Sequence, residues 1–191
     1  MNGLKFFLNS ISELSEETWK EVFPLFTKVE LSPGDFFVKE NVHAKKIAFL
    51  EEGIIRAFFT NKEAKEYNKQ FFVDASLIGA YSSLLTNERN KIPQQALSKC
   101  ILWEAKYSDI KKLFKKFHDF EKLGRKIAEY YFLEKERKEL EMALLNATER
   151  YSLFKKSFPN LEQKIPQYHI ASYLGITATQ LSRLRNKLLK E

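Results

Sequence analysis

Between Thr27 and Ala105 the apolar residues fall in short runs broken by turn residues, and after Ser108 they recur at every third or fourth position. This change of hydrophobic period constrains the fold most, because a period near two belongs to a strand and one near 3.6 to a helix. Thr27 to Leu31, Phe36 to Val38, Ile47 to Leu50, Ile54 to Thr60 and Tyr67 to Val73 read as strands, and Gln94 to Ala105 adds one or two more. Ser32-Pro33-Gly34-Asp35, Gly53 and the polar run Asn61-Lys62-Glu63 separate them. Many short strands with turns between them predict an antiparallel roll or sandwich. Ahead of it, Ser15-Glu16-Glu17-Thr18 starts a helix that reaches about Phe26, with Pro24 kinking or shortening it. The fold class is α+β.

In the second half, Ser108 is expected to cap a short helix and Asp119 a second that continues to about Asn146. Leu123, Ile127, Tyr130, Leu133, Leu140 and Leu144 form an apolar stripe on the second, interrupted at Arg137. At 1.5 Å per residue this helix would be roughly 40 Å long. Such a stripe is either the seam of a homodimer or a face packed on the chain's own strand domain. Thr148-Glu149-Arg150 opens a further helix, ending near Phe158-Pro159-Asn160.

The segment from Gln167, QYHIASYLGITATQLSRLRN, has the pattern of a helix-turn-helix. Ala171 is the small residue where two helices cross, and Gly175, four residues on, makes the left-handed turn. Ile170, Leu174, Ile176, Leu181 and Leu184 pack the pair. Thr177-Ala178-Thr179-Gln180 fits a capping box for the second helix. That helix projects Thr179, Gln180, Ser182, Arg183, Asn186 and Lys187 away from its leucines, and with Thr177 these are the candidate DNA-binding residues. The competing reading is two packed helices with a solvated basic face.

Charge supports a polyanionic partner for this end. The chain carries a formal +7, and residues 146–191 hold eight Lys/Arg against three Asp/Glu. Cys100 is the only cysteine, which excludes an intrachain disulfide, and it reads as a packed small residue. His43, His118 and His169 show no metal-ligand spacing. The lysine pairs at 111–112 and 115–116 read as a solvated helix face. No nucleophile elbow, Walker loop or zinc-protease motif is present, so no enzyme activity, metal or cofactor is expected. The start MNGLKFFLNS lacks a signal-peptide pattern, and no apolar run approaches the roughly 20 residues of a membrane span. A soluble, cytoplasmic protein without membrane contact is expected.

The stretch from Ile165-Pro166 through Leu188, containing ASYLGIT and LSRLRNKL, resembles the helix-turn-helix of the Crp/Fnr family of transcription regulators. Leu31-Ser32-Pro33-Gly34-Asp35, Glu52-Gly53-Ile54-Ile55-Arg56 and Phe72 through Gly79 are similar to turns of that family's cyclic-nucleotide-binding β-roll. The resemblance implies a jelly-roll-like sensor domain over 1–118, a dimerisation helix over 119–146 and a winged-helix or helix-turn-helix domain over 147–191. The chain stops soon after the recognition helix, so any wing is expected to be reduced or to precede that helix. The implied partners are double-stranded DNA, a second copy of the chain, RNA polymerase and a small-molecule effector not identified by the sequence. The implied dimer residues are Leu123, Ile127, Tyr130, Leu133, Arg137, Leu140 and Leu144. Arg183 falls on the family's base-reading arginine. Thr179 stands where the family often has Glu, so the family's half-site does not carry over.

The nucleotide cassette departs further. The family's cyclic-nucleotide binders hold the ribose with Glu and the phosphate with Arg, but Ala80 and Asn90 occupy those places. Arg89 is one position off and would serve only if the loop slipped, so cyclic AMP is not the expected effector. Gly79, Ala80, Tyr81, Ser82, Ser83 and Arg89 are the candidate effector-binding residues, or alternatively ordinary loop residues of a remnant pocket. Two other function classes stand beside the regulator. One is a small-molecule-sensing β-roll acting through protein–protein contacts. The other is a cupin-like enzyme, disfavoured by the absence of clustered histidines.

Overall fold

The computed structural model describes residues 2–188, which form two compact units. The first comprises the residues up to Ala57 together with Phe71–Phe132, and the second Phe58–Gln70 together with the residues from Leu133 onward.

The first unit opens with helices α1 (Asn2–Ile11) and α2 (Glu16–Val22). Ser15 caps α2, its Oγ accepting from Thr18 N at 3.1 Å. Pro24 shortens the expected helix: α2 ends at Val22, and residues 23–25 tighten into a 3-10 turn. Eight strands follow: β1 (Thr27–Leu31), β2 (Phe36–Val38), β3 (Lys46–Glu52), β4 (Ile55–Thr60), β5 (Glu66–Phe72), β6 (Ser76–Ile78), β7 (Gln94–Ala96) and β8 (Cys100–Lys106). They make two four-stranded antiparallel sheets, ordered β1-β8-β3-β6 and β2-β7-β4-β5. The helix α3 (Tyr81–Thr86) lies between β6 and β7. Neither β6 nor α3 is announced by hydrophobic period, since both are too short to show one.

Strand β3 reads as a continuous apolar run because both its faces are covered. Ala48 and Leu50 join Ile55, Ile78, Ala96, Cys100 and Leu102 in a core drawn from both sheets. Phe49 points the other way, into a larger cluster with Leu4, Leu8, Trp19, Val22, Ala105, Ile110, Phe120 and Leu123. Between β3 and β4 the chain turns at Gly53 with φ +113°, where a Cβ would lie 2.6 Å from Cys100 Sγ and from Lys99 O. Only glycine fits that close approach.

After β8 come α4 (Tyr107–Lys116) and the long α5 (His118–Leu144). Two caps differ from expectation. Ser108 lies inside the first turn of α4, whose N-cap is Lys106 with no side-chain bond. Asp119 lies inside the first turn of α5 and reaches across the first unit, accepting from Ser15 N at 2.8 Å and Thr18 Oγ1 at 2.7 Å. Burial pushes its carboxyl up, but these bonds and one from Phe120 N outweigh it and hold the pKa below its ordinary value. No local sequence pattern could announce a partner about a hundred residues away.

In the second unit, α6 (Ala147–Ser157), α7 (Leu161–Lys164), α8 (Gln167–Leu174) and α9 (Ala178–Leu188) follow the end of α5. Asn146 and Glu149 form a reciprocal capping box at the start of α6. The core here is aromatic, with Phe154, Phe158 and Tyr173 in mutual ring contact at 5.4–5.8 Å. Residues 58–70, the facing ends of β4 and β5, fasten to α8. Asn68 N donates to Ser172 Oγ at 2.9 Å, Ser172 Oγ donates to Glu66 O at 3.0 Å, and the Asn68 amide donates to His169 O at 3.1 Å. Among the described residues 133–188 there is no strand, and the four-residue α7 fills the stretch between α6 and α8.

Candidate nucleic-acid interface

Helices α8 and α9 are joined by a Schellman turn. Gly175, at φ +70°, donates its N–H to Ser172 O at 3.2 Å, and Ile176 N donates to Ala171 O at 3.0 Å. These bonds satisfy carbonyls that the end of α8 leaves open. Ile170, Ala171, Leu174 and Leu181 are buried, so the crossing is dry and the alanine lies within it. The capping box forms as the spacing predicts: Gln180 N donates to Thr177 Oγ1 at 3.2 Å, and Thr177 N donates to Gln180 Oε1 at 2.8 Å.

With the leucines anchored, α9 turns Thr179, Gln180, Ser182, Arg183, Asn186 and Lys187 to the exterior. Thr177 is exposed too, but its hydroxyl and N–H serve the cap. Gln180 Oε1 is likewise engaged in the cap, which leaves its Nε2 as the group able to donate outward. Shallow grooves flank the helix. One of about 310 Å³ is lined by Gln167, Ala178, Leu181, Ser182, Arg185 and Asn186. The other, of about 240 Å³, has Thr148 with Arg183, Leu184, Lys187 and Leu188. Thr148 and Gln167 were not among the sequence candidates. Each stands in the first turn of a helix, α6 or α8, and that position was the signal available; on α6 the Thr148 and Glu149 N–H groups are already taken by the Asn146 cap. Arg185 is half-buried and turned toward Tyr151, whose hydroxyl donates to Glu162 Oε2 at 2.5 Å. Burial, and then that carboxylate, push the Tyr151 pKa up to about 12, so the hydroxyl stays a neutral donor. Arg185 thus lies beside Tyr151 and lines the first groove, while Arg183 is exposed.

The effector candidates are more dispersed. Ala80 is buried, while Tyr81 and Ser82 are exposed. The Ser83 hydroxyl donates to Glu88 O at 2.5 Å and accepts from Ala44 N at 3.0 Å, so it is committed to loop backbone. Arg89 is exposed and donates to Asn41 O at 3.0 Å. Asn90 is buried and donates to Lys39 O and Ile92 O, each at 3.0 Å. Gly79 is half-buried.

Along α5, Leu123 is buried in the first unit's own core and Ile127 packs against it. Tyr130, Leu133, Leu140 and Leu144 are exposed on the single chain. Arg137 pairs along the helix with Glu134 at 2.7 Å and Glu141 at 3.5 Å. Among the described residues no group of three His, Cys, Asp or Glu side chains could hold a metal ion, and no helix is long and apolar enough to cross a membrane. His169 is buried against Asn68, while His118 is exposed. Cys100 is fully buried, and burial raises its thiol pKa. Lys112 and Lys116 pair with Asp109 and Glu21 on a solvated face.

No protein-family model matches this chain, and no curated protein matches it in sequence. Solved structures share its fold. The regulator CLP of Xanthomonas campestris, described as c-di-GMP responsive, superposes with a TM-score of 0.70 at 16% identity over 92% of each chain. FixK2 of Bradyrhizobium japonicum gives 0.75 at 16% identity over 86% of this chain and 85% of its own. A protein of Eubacterium rectale described as a Crp/Fnr-family transcriptional regulator gives 0.73 at 14% identity over 93% and 85%. The fold is therefore that of the Crp/Fnr regulators: an antiparallel β-roll, a long helix and a helical domain carrying the helix-turn-helix.

Proposed function

We propose that this chain is a DNA-binding transcription regulator of the Crp/Fnr type that reads a two-half-site operator as a homodimer. The observation that carries the reading is the geometry of α9. Leu181 anchors it, a formed capping box starts it, and Arg183, Asn186 and Lys187 stand on its exposed side. The N-terminal part of such a helix enters the major groove. In this reading Arg183 donates both guanidinium arms to guanine O6 and N7, and Lys187, one turn on, meets phosphate. Thr179, Ser182 and Asn186 add hydrogen-bonding groups to the same face, with Gln180 contributing its Nε2 and Thr177 holding the cap.

In this reading residues 1–118 form the sensor roll, 119–146 the dimer helix and 147–191 the DNA-binding domain. Two copies meet along Tyr130, Leu133, Arg137, Leu140 and Leu144, with Leu123 and Ile127 backing the helix on its own roll. The dimer presents two recognition helices to successive major grooves, about 10 base pairs apart, and acts with RNA polymerase in the cytoplasm. Any effector, taken near Gly79 to Ser83 and Arg89, is not cyclic AMP, because Ala80 and Asn90 offer neither carboxylate nor guanidinium.

A binding selection on randomised duplexes tests this. Arg183→Ala should flatten base preference at one position of each half-site, a contact worth about 1–3 kcal/mol of discrimination. Lys187→Ala should weaken all sequences alike and lower the salt slope by about one. Salt-independent binding, or full base preference in Arg183→Ala, would overturn the assignment.

A further inference from the structure

The junction between α5 and the helix-turn-helix, all within the second unit, is tied by one side chain. Arg150, in the first turns of α6, donates from Nε to Leu174 O at 3.1 Å and from Nη1 to Leu145 O. Leu145 follows the last residue of α5, and Leu174 is the last residue of α8. Both carbonyls belong to the set that a helix C-terminus leaves unpaired, and a cation there also opposes the negative end of the helix dipole. One planar guanidinium therefore clamps the ends of two helices, with its stem on a third. Lysine has three donors on a flexible stem but lacks the rigid planar fork that fixes both directions.

Three further contacts stiffen the same junction. Lys138 Nζ, on α5, stands 3.7 Å from the centroid of the Tyr173 ring on α8. The Met142 side chain lies over the turn, its Cε 2.9 Å from where a Cβ on Gly175 would be. The Asn146–Glu149 capping box fixes the direction in which α6 leaves α5.

We propose that Arg150 is a positioning residue that locks the recognition helix onto the last third of α5 and so fixes the distance between DNA half-sites. This rests on the dimeric DNA-binding reading, in which Leu140 and Leu144 lie at the seam. A recognition helix rigidly joined to the seam admits one separation between its two copies. Each base pair added or removed between half-sites turns one of them by about 34° around the duplex axis. A rigid junction cannot follow that turn, whereas a loosened one can.

The test uses the full-length protein and duplexes carrying two copies of its selected half-site, with their separation stepped by single base pairs. The wild type should lose about tenfold or more in affinity one base pair from its optimum. Arg150→Gln should lose less than about threefold at the same step while keeping its base preference within each half-site. Arg150→Lys should fall between them, and it carries the test if Arg150→Gln does not fold. General destabilisation lowers the active fraction at every spacing equally and leaves the profile's shape unchanged, so the shape reports the lock. A wild-type profile in Arg150→Gln, or in Arg150→Lys where that variant stands in, overturns the lock alone. Absence of wild-type binding to any duplex overturns the DNA-binding reading, and the lock with it.

Discussion

Substitution of Gly175 separates backbone conformation from side-chain size at the helix-turn-helix. Its φ of +70° and ψ of 30° lie in the left-handed region, where an L-residue places Cβ against its own carbonyl at a cost of about 1–2 kcal/mol. Alanine also restricts the unfolded chain, which offsets about 0.4–1 kcal/mol of that. The new methyl would sit 2.9 Å from Met142 Cε, the far end of a flexible side chain that shifts at small cost. Gly175→Ala should therefore cost about 1 kcal/mol, a fall of roughly 2–4 °C in Tm for a chain of this size. Gly175→Asn should cost less despite its greater bulk, because asparagine tolerates the left-handed region. Gly175→Val should cost the most, since a β-branched residue is excluded from it. Urea unfolding followed by circular dichroism gives the three values, and Met142→Ala in the Gly175→Ala background should show coupling below about 0.5 kcal/mol. An alanine variant as stable as wild type, or an asparagine variant weaker than alanine, would refute the left-handed turn.

Leu140 and Leu144 are 53% and 76% exposed on the single chain, so Leu140→Asp with Leu144→Asp should alter its own folding by no more than about 0.5 kcal/mol per site, yet yield a monomer in light scattering. A wild type already monomeric at micromolar concentration would sink the dimer. Asp119→Asn weakens the bonds to Ser15 and Thr18. Because the folded pKa of Asp119 is lowered, its contribution is full above the unfolded value of about 3.9 and is lost as pH falls through the folded value. The stability gap between wild type and Asp119→Asn should accordingly be present at pH 7 and shrink below about pH 4 in urea titrations; a gap independent of pH would refute the account. Cyclic AMP should give no measurable heat in isothermal titration, and micromolar affinity would show that Ala80 and Asn90 do not stand where the ribose and phosphate, respectively, would bind.

The strand runs, the later helical period and the helix-turn-helix were legible in the sequence because each is written within a few residues. Alternation fixes which strand residues face a core, and glycine or a capping threonine fixes a turn through its own stereochemistry. Thus Gly175, the Thr177–Gln180 box and the buried set Ile170, Ala171, Leu174 and Leu181 came from spacing alone. Long-range partners decided the rest. The three-residue β6 exists because β3 offers it a ladder, and α1 is held by Leu4 and Leu8 in a cluster that the strands and later helices complete. Asp119 could be placed at a helix start, but its acceptance from Ser15 and Thr18 required the fold. Likewise the apolar stripe of α5 does not say that Leu123 is consumed inside its own unit while Leu140 and Leu144 stay exposed. Arg150 looks like any helical arginine in the sequence. Only folding brings the ends of α5 and α8 to its guanidinium, because an unpaired carbonyl at a helix end has no residue-type signature and its partner is set by where distant segments pack.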